Sequence, residues 1–363
     1  MVTPPPPQRR PLTWTKTVIY SVLPALIVLM LGEVGLRVWA HYFRTAYERY
    51  NYQTGRLELV PNTFIPGSGG SAMRINSRGF VGAEFKVPRP RDTYRIIAVG
   101  DSCTFGTGDP AQAYPFMLEQ FLKAPAGGGG RIEVINAGIE GYNSEFALSR
   151  LRDELLAYEP DMVILYIGWN DLMKINPENA SAAGQHSWLA TLLQRSYLGK
   201  AYNKLLFYTL RPMVLKPRLD LDGVDAHAYD LFVPLSFRSN VEGMIQLMRR
   251  QGVRLVVVTL PTVVWPGLTH ADIDRLNVIF PYYAGTYSIG KFLSLLRAYN
   301  NTIRSLAVDH GVALVDLDII FNRHDKDLLF WDTMHPSLRG HQLIAKSLAE
   351  AIRGTISQRA RSS

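Results

Sequence analysis

The stretch Ile96-Ile97-Ala98-Val99-Gly100-Asp101-Ser102 ends an apolar run on a hydroxyl flanked by small residues. Four apolar residues bounded by glycine read as a buried strand. A serine at the carboxyl end of a parallel strand stands where open α/β sheets place their ligands. It also faces the start of the next helix, whose free N–H groups hold anions. A serine alone is a weak nucleophile; it needs a base, an orienting carboxylate and oxyanion donors. Asp332-Thr333-Met334-His335-Pro336 offers the first two. An aspartate three residues before a histidine on one loop can fix one ring nitrogen while the other points outward as a base. Of the eight histidines, His41, His270 and His310 read as structural or exposed; His335 differs because its setting matches what Ser102 requires. Two further turns can supply anion donors: Gly141 in Asn136-Ala137-Gly138-Ile139-Glu140-Gly141-Tyr142, and Asn170 in Gly168-Trp169-Asn170-Asp171. Singly, each is an ordinary turn. Together, hydroxyl, glycine N–H, amide and Asp–His pair all fall at strand ends.

The elements that must position these groups alternate in type. Strands are predicted at Arg95–Val99, Arg131–Ile135, Met162–Ile167, Arg254–Thr259 and Val312–Leu317. Helices are predicted near Pro110–Lys123, Ser144–Tyr158, Ser236–Gln251, Gly290–His310 and Leu338–Ile352. Such alternation with apolar strands predicts a parallel sheet covered by helices on both faces. Two interruptions, near 172–235 and 261–288, follow strands at the carboxyl edge and read either as walls of a substrate cleft or as surface decoration. Residues 1–16 form a proline-rich, basic tail, and 17–40 an apolar segment of about twenty residues, enough to cross a bilayer. Arg9, Arg10 and Lys16 before it predict an uncleaved signal-anchor with the tail in the cytoplasm and the remainder exported. Residues 41–93 read as a linker and N-terminal extension, with Gly67-Ser68-Gly69-Gly70 as a loop, and 94–356 as the main domain.

With 363 residues, 47% hydrophobic and 19% charged, the chain is not a disordered one. Its net charge of +8 is dispersed, with no basic helix interleaved with aromatics, which argues against nucleic-acid binding. A single cysteine, Cys103, excludes an intrachain disulfide and a multi-cysteine metal site, and it reads as a small packing residue. No cofactor or metal is called for by any motif. Gly106-Thr107-Gly108-Asp109-Pro110-Ala111 lacks the third glycine of a dinucleotide fingerprint, and no Gly-Lys-Ser/Thr phosphate loop is present. The G-x-S-x-G elbow is absent as well, since Asp101 precedes the serine and Thr104 ends that span.

The order Gly100-Asp101-Ser102, Gly141, Gly168-x-Asn170-Asp171, Asp332-x-x-His335 resembles the SGNH (GDSL-type) hydrolases over residues 94–353. The resemblance implies a three-layer, flavodoxin-like α/β/α sandwich with a five-stranded parallel sheet, here preceded by one transmembrane helix. It implies Ser102 as nucleophile, His335 as base and Asp332 as orienting acid, with the Ser102 N–H, Gly141 N–H and Asn170 amide as oxyanion hole. Family members cleave esters, thioesters or sugar O-acetyl groups, and some transfer acyl groups. The long gap between Asn170 and Asp332, and Trp169 beside the amide, depart from the commonest pattern. An extracytoplasmic, membrane-anchored position points to O-acyl groups of an envelope glycan as substrate. A lipid ester is second, acyl transfer onto an exported polysaccharide third, and a non-catalytic assembly module the reading from another class.

Overall fold

Thr93–Gly100 is a run of eight buried residues, and a strand hidden on both faces has to lie inside a sheet covered by helices. In the computed structural model it does. The structure describes residues 13–43, 47–51, 53–66, 72–106, 110–123, 131–175, 177, 196–203, 225–280 and 288–362. The glycine loops at 67–70 and 127–130, most of the 172–235 interruption and Tyr282, Tyr283 and Tyr287 lie outside them. The N-terminal part comprises α1 (Trp14–Phe43) and two hairpins, β1 (Glu48–Asn51) with β2 (Arg56–Leu59) and β3 (Phe64–Pro66) with β4 (Ala72–Arg74). Then come β5 (Thr93–Gly100), α2 (Ser102–Phe105), α3 (Tyr114–Lys123), β6 (Arg131–Asn136), α4 (Ser144–Asp153), β7 (Met162–Tyr166), α5 (Trp169–Lys174) and α6 (Tyr197–Asn203). The rest is α7 (Leu235–Arg250), β8 (Arg254–Val258), α8 (His270–Arg275), α9 (Ile289–His310), β9 (Ala313–Val315), α10 (Leu317–Phe321) and α11 (Leu338–Ser362).

The chain divides into two units, one of residues 1–45 with 182–214, the other of 46–181 with 215–363. In the first, Trp14–Val38 is a 25-residue apolar stretch of helix, about 37 Å long at 1.5 Å per residue. That exceeds a hydrocarbon core of about 30 Å, so the segment is long and apolar enough to be a membrane anchor or a signal sequence. Near its end Glu33 pairs with Arg37 one turn on at 2.8 Å. The same carboxylate accepts the Leu198 N–H of α6 at 2.8 Å.

In the second unit five parallel strands lie in the order β6-β5-β7-β8-β9. The chain leaves β5 for β6 on one side, then crosses back to β7 on the other. That reversal makes the carboxyl ends of β5, β6 and β7 the switch point at which such sheets bind ligands. Helices α3 and α11 pack together on one face, and α4, α7 and α9 on the other. The core is continuous from Ile96 and Ile97 through Val163 and Val257 to Leu306 and Leu348. Arg95, fully buried on β5, is matched on every side. Its Nε meets Glu133 Oε2 at 2.7 Å and its two terminal nitrogens donate to the Tyr158 and Lys86 carbonyls, each at 2.6 Å. A buried arginine is tolerated where its donors are satisfied in this way.

Among the described residues of 47–92 lie the two hairpins and contacts to the rest of the second unit. The two hairpins escape sequence reading because strands of three or four residues show too little alternation to register. Phe80 and Phe85 form an edge-to-face trio with Tyr158. Val81 bridges Asn136 of β6, and Arg56 donates to Ser149 and Asp153 of α4. The predicted Ser144–Tyr158 helix stops at Asp153 and ends in a 3₁₀ turn, Leu155–Tyr158. The last helix instead runs on to Ser362. A cavity of about 440 Å³, lined by Met162, Ile245, Met248 and Arg254, opens at the amino ends of β7 and β8, away from Ser102.

Candidate active site

Ser102 is the first residue of α2, and Asp101 caps that helix by accepting the Cys103 N–H at 3.0 Å. The strand-to-helix turn is tight enough to demand glycine at position 100. A Cβ there would lie 2.0 Å from Thr104 Oγ1 and 2.4 Å from the Tyr166 carbonyl oxygen. The turn delivers the Ser102 hydroxyl 2.8 Å from His335 Nε2, although the two residues are 233 positions apart.

His335 is held by its own loop. Its Nδ1 lies 2.7 Å from Asp332 Oδ2, while Asp332 Oδ1 accepts the Met334 and His335 backbone N–H groups at 3.0 and 2.9 Å. A carboxylate offers only acceptors, so the ring proton belongs on Nδ1 and Nε2 is left to accept from the serine. The Trp331 N–H donates to the His335 carbonyl at 2.9 Å, and Phe330 bridges Pro336, which closes the loop. Burial pulls the His335 pKa down, but the Asp332 hydrogen bond and charge outweigh it and the net shift is upward. Burial pushes Asp332 up, and the bond and charge of His335 bring it net below the usual carboxylate range.

Gly141 follows β6 with φ 75°, a left-handed conformation that favours glycine, and a Cβ there would meet nothing within 4 Å. Two residues on, Asn143 caps α4 by accepting the Phe146 N–H at 3.0 Å. Ile139 N–H donates to the Gly100 carbonyl at 3.2 Å, tying this loop to the end of β5. Asn170, in the first turn of α5, donates from Nδ2 to the Tyr142 carbonyl at 2.9 Å. That bond orients the amide and leaves its second N–H for another acceptor. The structure therefore brings Ser102, Asp332 and His335 into one hydrogen-bonded relay, and links the Gly141 turn to Asn170.

Sequence reasoning passed over the supports of that arrangement. Asp171 accepts the Ser144 N–H at 2.9 Å and the Ser144 hydroxyl at 2.5 Å, and Asn240 donates to the same hydroxyl at 2.9 Å. Asp171 sits beside Asn170 in the sequence, but nothing there reveals a partner 27 residues earlier. Burial raises Asp171 to about 6, and burial likewise raises Asp101 to about 6. His341, buried behind the site, accepts the Tyr114 N–H at 3.3 Å and is pushed down to about 4 by burial. Cys103 is buried, its thiol donates to the Met334 carbonyl at 3.4 Å, and burial pushes its pKa well up. A thiol that resists ionisation is a packing group, as read from the sequence. Among the described residues, no group of three His, Cys, Asp or Glu side chains could hold a metal ion.

The family model for GDSL-like lipases and acylhydrolases matches residues 98–343 of this chain. The chain belongs to that family. It is accordingly a hydrolase acting on esters, on the three-layer α/β/α frame described above. Solved structures with a similar fold include a lipase/acylhydrolase from Enterococcus faecalis, 19% identical, with 72% of this chain and 96% of that one covered at a TM-score of 0.44. An acetylxylan esterase from Geobacillus stearothermophilus is 16% identical, covering 71% and 94% at 0.43. A GDSL-like lipase from Bacteroides thetaiotaomicron is 13% identical, covering 75% and 93% at 0.43. No curated protein sequence matches the chain.

Proposed function

We propose that this GDSL-family hydrolase is a membrane-anchored serine esterase that removes O-acyl groups, O-acetyl above all, from a glycan of the cell envelope. The observation that carries the chemistry is the relay Ser102 Oγ to His335 Nε2 at 2.8 Å and His335 Nδ1 to Asp332 at 2.7 Å. His335 takes the Ser102 proton as Oγ attacks the ester carbonyl. The resulting oxyanion rests on the Ser102 N–H, the Gly141 N–H and the Asn170 amide. Collapse expels the sugar hydroxyl, which receives its proton from His335, and water then enters by the same base to release the acid from the acyl-enzyme.

Place and surface support the substrate class. The positive charges ahead of the apolar helix favour an exported domain tethered at the outer side of the cytoplasmic membrane. There it meets envelope polysaccharide. Trp331, 61% exposed and adjacent to Asp332, offers an aromatic face of the kind that stacks on a pyranose ring.

The test uses the detergent-solubilised full chain on acetylated xylan, acetylated peptidoglycan, a lysophospholipid and p-nitrophenyl acetate. The expected result is acetate release from a glycan well above fatty-acid release from the lysophospholipid. Ser102→Ala should lose all labelling by a fluorophosphonate. Fatty-acid release alone would overturn the glycan assignment, and full labelling of Ser102→Ala would overturn the nucleophile.

A further inference from the structure

Thr333 stands between Asp332 and His335 and is itself fully buried. Its hydroxyl makes two bonds to one residue of the 261–288 interruption: it donates to the Ile279 carbonyl at 2.8 Å and accepts the Ile279 N–H at 2.6 Å. A side chain thus replaces a strand partner for that residue. The Thr333 carbonyl is gripped from another direction, by the Thr262 hydroxyl at 2.7 Å and the Val263 N–H at 3.2 Å. Thr262 in turn accepts the Val264 N–H at 3.2 Å. The segment carrying Ile279 is anchored in the core by Leu276 and Phe280, the latter edge-to-face with Phe292 of α9.

Four hydrogen bonds on a residue that touches no reacting atom are more than packing requires. Thr333 lies between Asp332 and His335 in one tight loop, so fixing Thr333 steadies the angle at which the imidazole meets Ser102. Misplacing a catalytic group by about 1 Å can cost on the order of 100-fold in rate. We infer that Thr333 is a positioning residue, through which the stretch after β8 sets the Asp332–His335 pair. The inference rests on the reading of His335 as base. It makes Thr262, Val263 and Ile279, from the described part of the 261–288 interruption, supports of the site, where the sequence left the stretch as cleft wall or decoration.

The experiment compares Thr333→Val, Thr333→Ser and Thr262→Val on p-nitrophenyl acetate, with Ser102→Ala alongside. Thr333→Val keeps the shape and removes the hydroxyl. It should lower kcat about 10- to 100-fold with KM within about threefold, the scale of a small misplacement. Its acidic limb should move to lower pH as the Asp332 bond that raises His335 loosens. The other charges acting on His335, Asp101 and Glu140, and its buried neighbour His341, are unchanged in that variant. Thr333→Ser, which keeps the donor and acceptor, should restore kcat to within about threefold of the parent. Thr262→Val, which leaves the Thr333 carbonyl one donor, should show a smaller loss in the same direction, and it decides the matter if Thr333→Val does not fold. Unchanged kcat and pH limb in folded Thr333→Val, or in Thr262→Val where Thr333→Val does not fold, would overturn the inference. Equal losses in Thr333→Val and Thr333→Ser would overturn it too. Activity surviving in Ser102→Ala would instead overturn the underlying assignment of the site.

Discussion

Asn170→Ala separates the two jobs of one amide. On the proposed mechanism alanine removes a donor to the developing oxyanion, a loss worth about 10²–10³ in kcat, or about 2.7–4 kcal/mol. It also removes the 2.9 Å bond from Nδ2 to the Tyr142 carbonyl. A single part-buried hydrogen bond contributes about 1 kcal/mol to stability, which lowers the melting midpoint of a domain this size by about 2–4 °C. The two losses appear in different measurements. The rate loss falls in kcat, because a planar ground-state carbonyl gains little from the donor, so KM should stay nearly constant. Because the same bond steadies the turn bearing Gly141, the rate loss should reach the upper end of the range. Initial rates on p-nitrophenyl acetate, normalised by fluorophosphonate titration of competent sites, give kcat, and calorimetry gives the midpoint. A fully titrating variant with kcat within about tenfold of the parent would refute the placement of Asn170 among the oxyanion donors. A loss confined to KM would do the same.

The upward shift of His335 sets the pH profile. If His335 is the base, as proposed, it works when neutral, so activity is present above its pKa and disappears as pH falls through it, with the limb of kcat/KM above the ordinary histidine value of about 6.5. Asp332→Asn should drop kcat by about 10⁴, as in other triads, through the wrong tautomer, and shift the residual limb downward. A limb at or below about 6.5 in the parent would contradict this. Asp101→Asn tests the buried charge. A folded-state pKa raised from 3.8 to about 6 means the folded protein binds the extra proton, so this group's contribution falls as pH rises from about 4 to about 6 and stays low above. The cost at neutral pH is at most about 3 kcal/mol. Relative to the parent, Asp101→Asn should therefore gain stability between pH 4.5 and 7 in denaturant titrations. An equal difference at both pH values would refute the assignment.

The parallel sheet was legible because its strands are short and mostly apolar, β7 (MVILY) and the Leu255–Val258 part of β8 without a break, and the structure moves their ends by one or two residues. Met162–Ile167 becomes Met162–Tyr166, and Val312–Leu317 shortens to Ala313–Val315. The groups at the strand ends were legible for a different reason: a hydroxyl, a glycine, an amide and an Asp–His pair have few uses in common. What the sequence hid was long-range support. Ser144 for Asp171, Ile279 for Thr333 and the Met334 carbonyl for Cys103 are partners chosen by the fold. No local spacing encodes them. The β1–β4 hairpins were hidden likewise: their strands are very short, and Arg56 of β2 is held by Ser149 and Asp153 of α4, partners that no local spacing encodes.

One consequence concerns where this enzyme can be shortened. The family-matched part begins at residue 98, and a fragment cut there would still carry every side chain of the Ser102–His335 relay. It would nonetheless discard the carbonyl of Leu57, on which the Tyr142 phenol rests at 2.7 Å, one residue beyond Gly141. The preface of small hairpins is in that sense a buttress for the turn that bears Gly141. A water-soluble version should begin just after the apolar helix, well upstream of the border that homology draws.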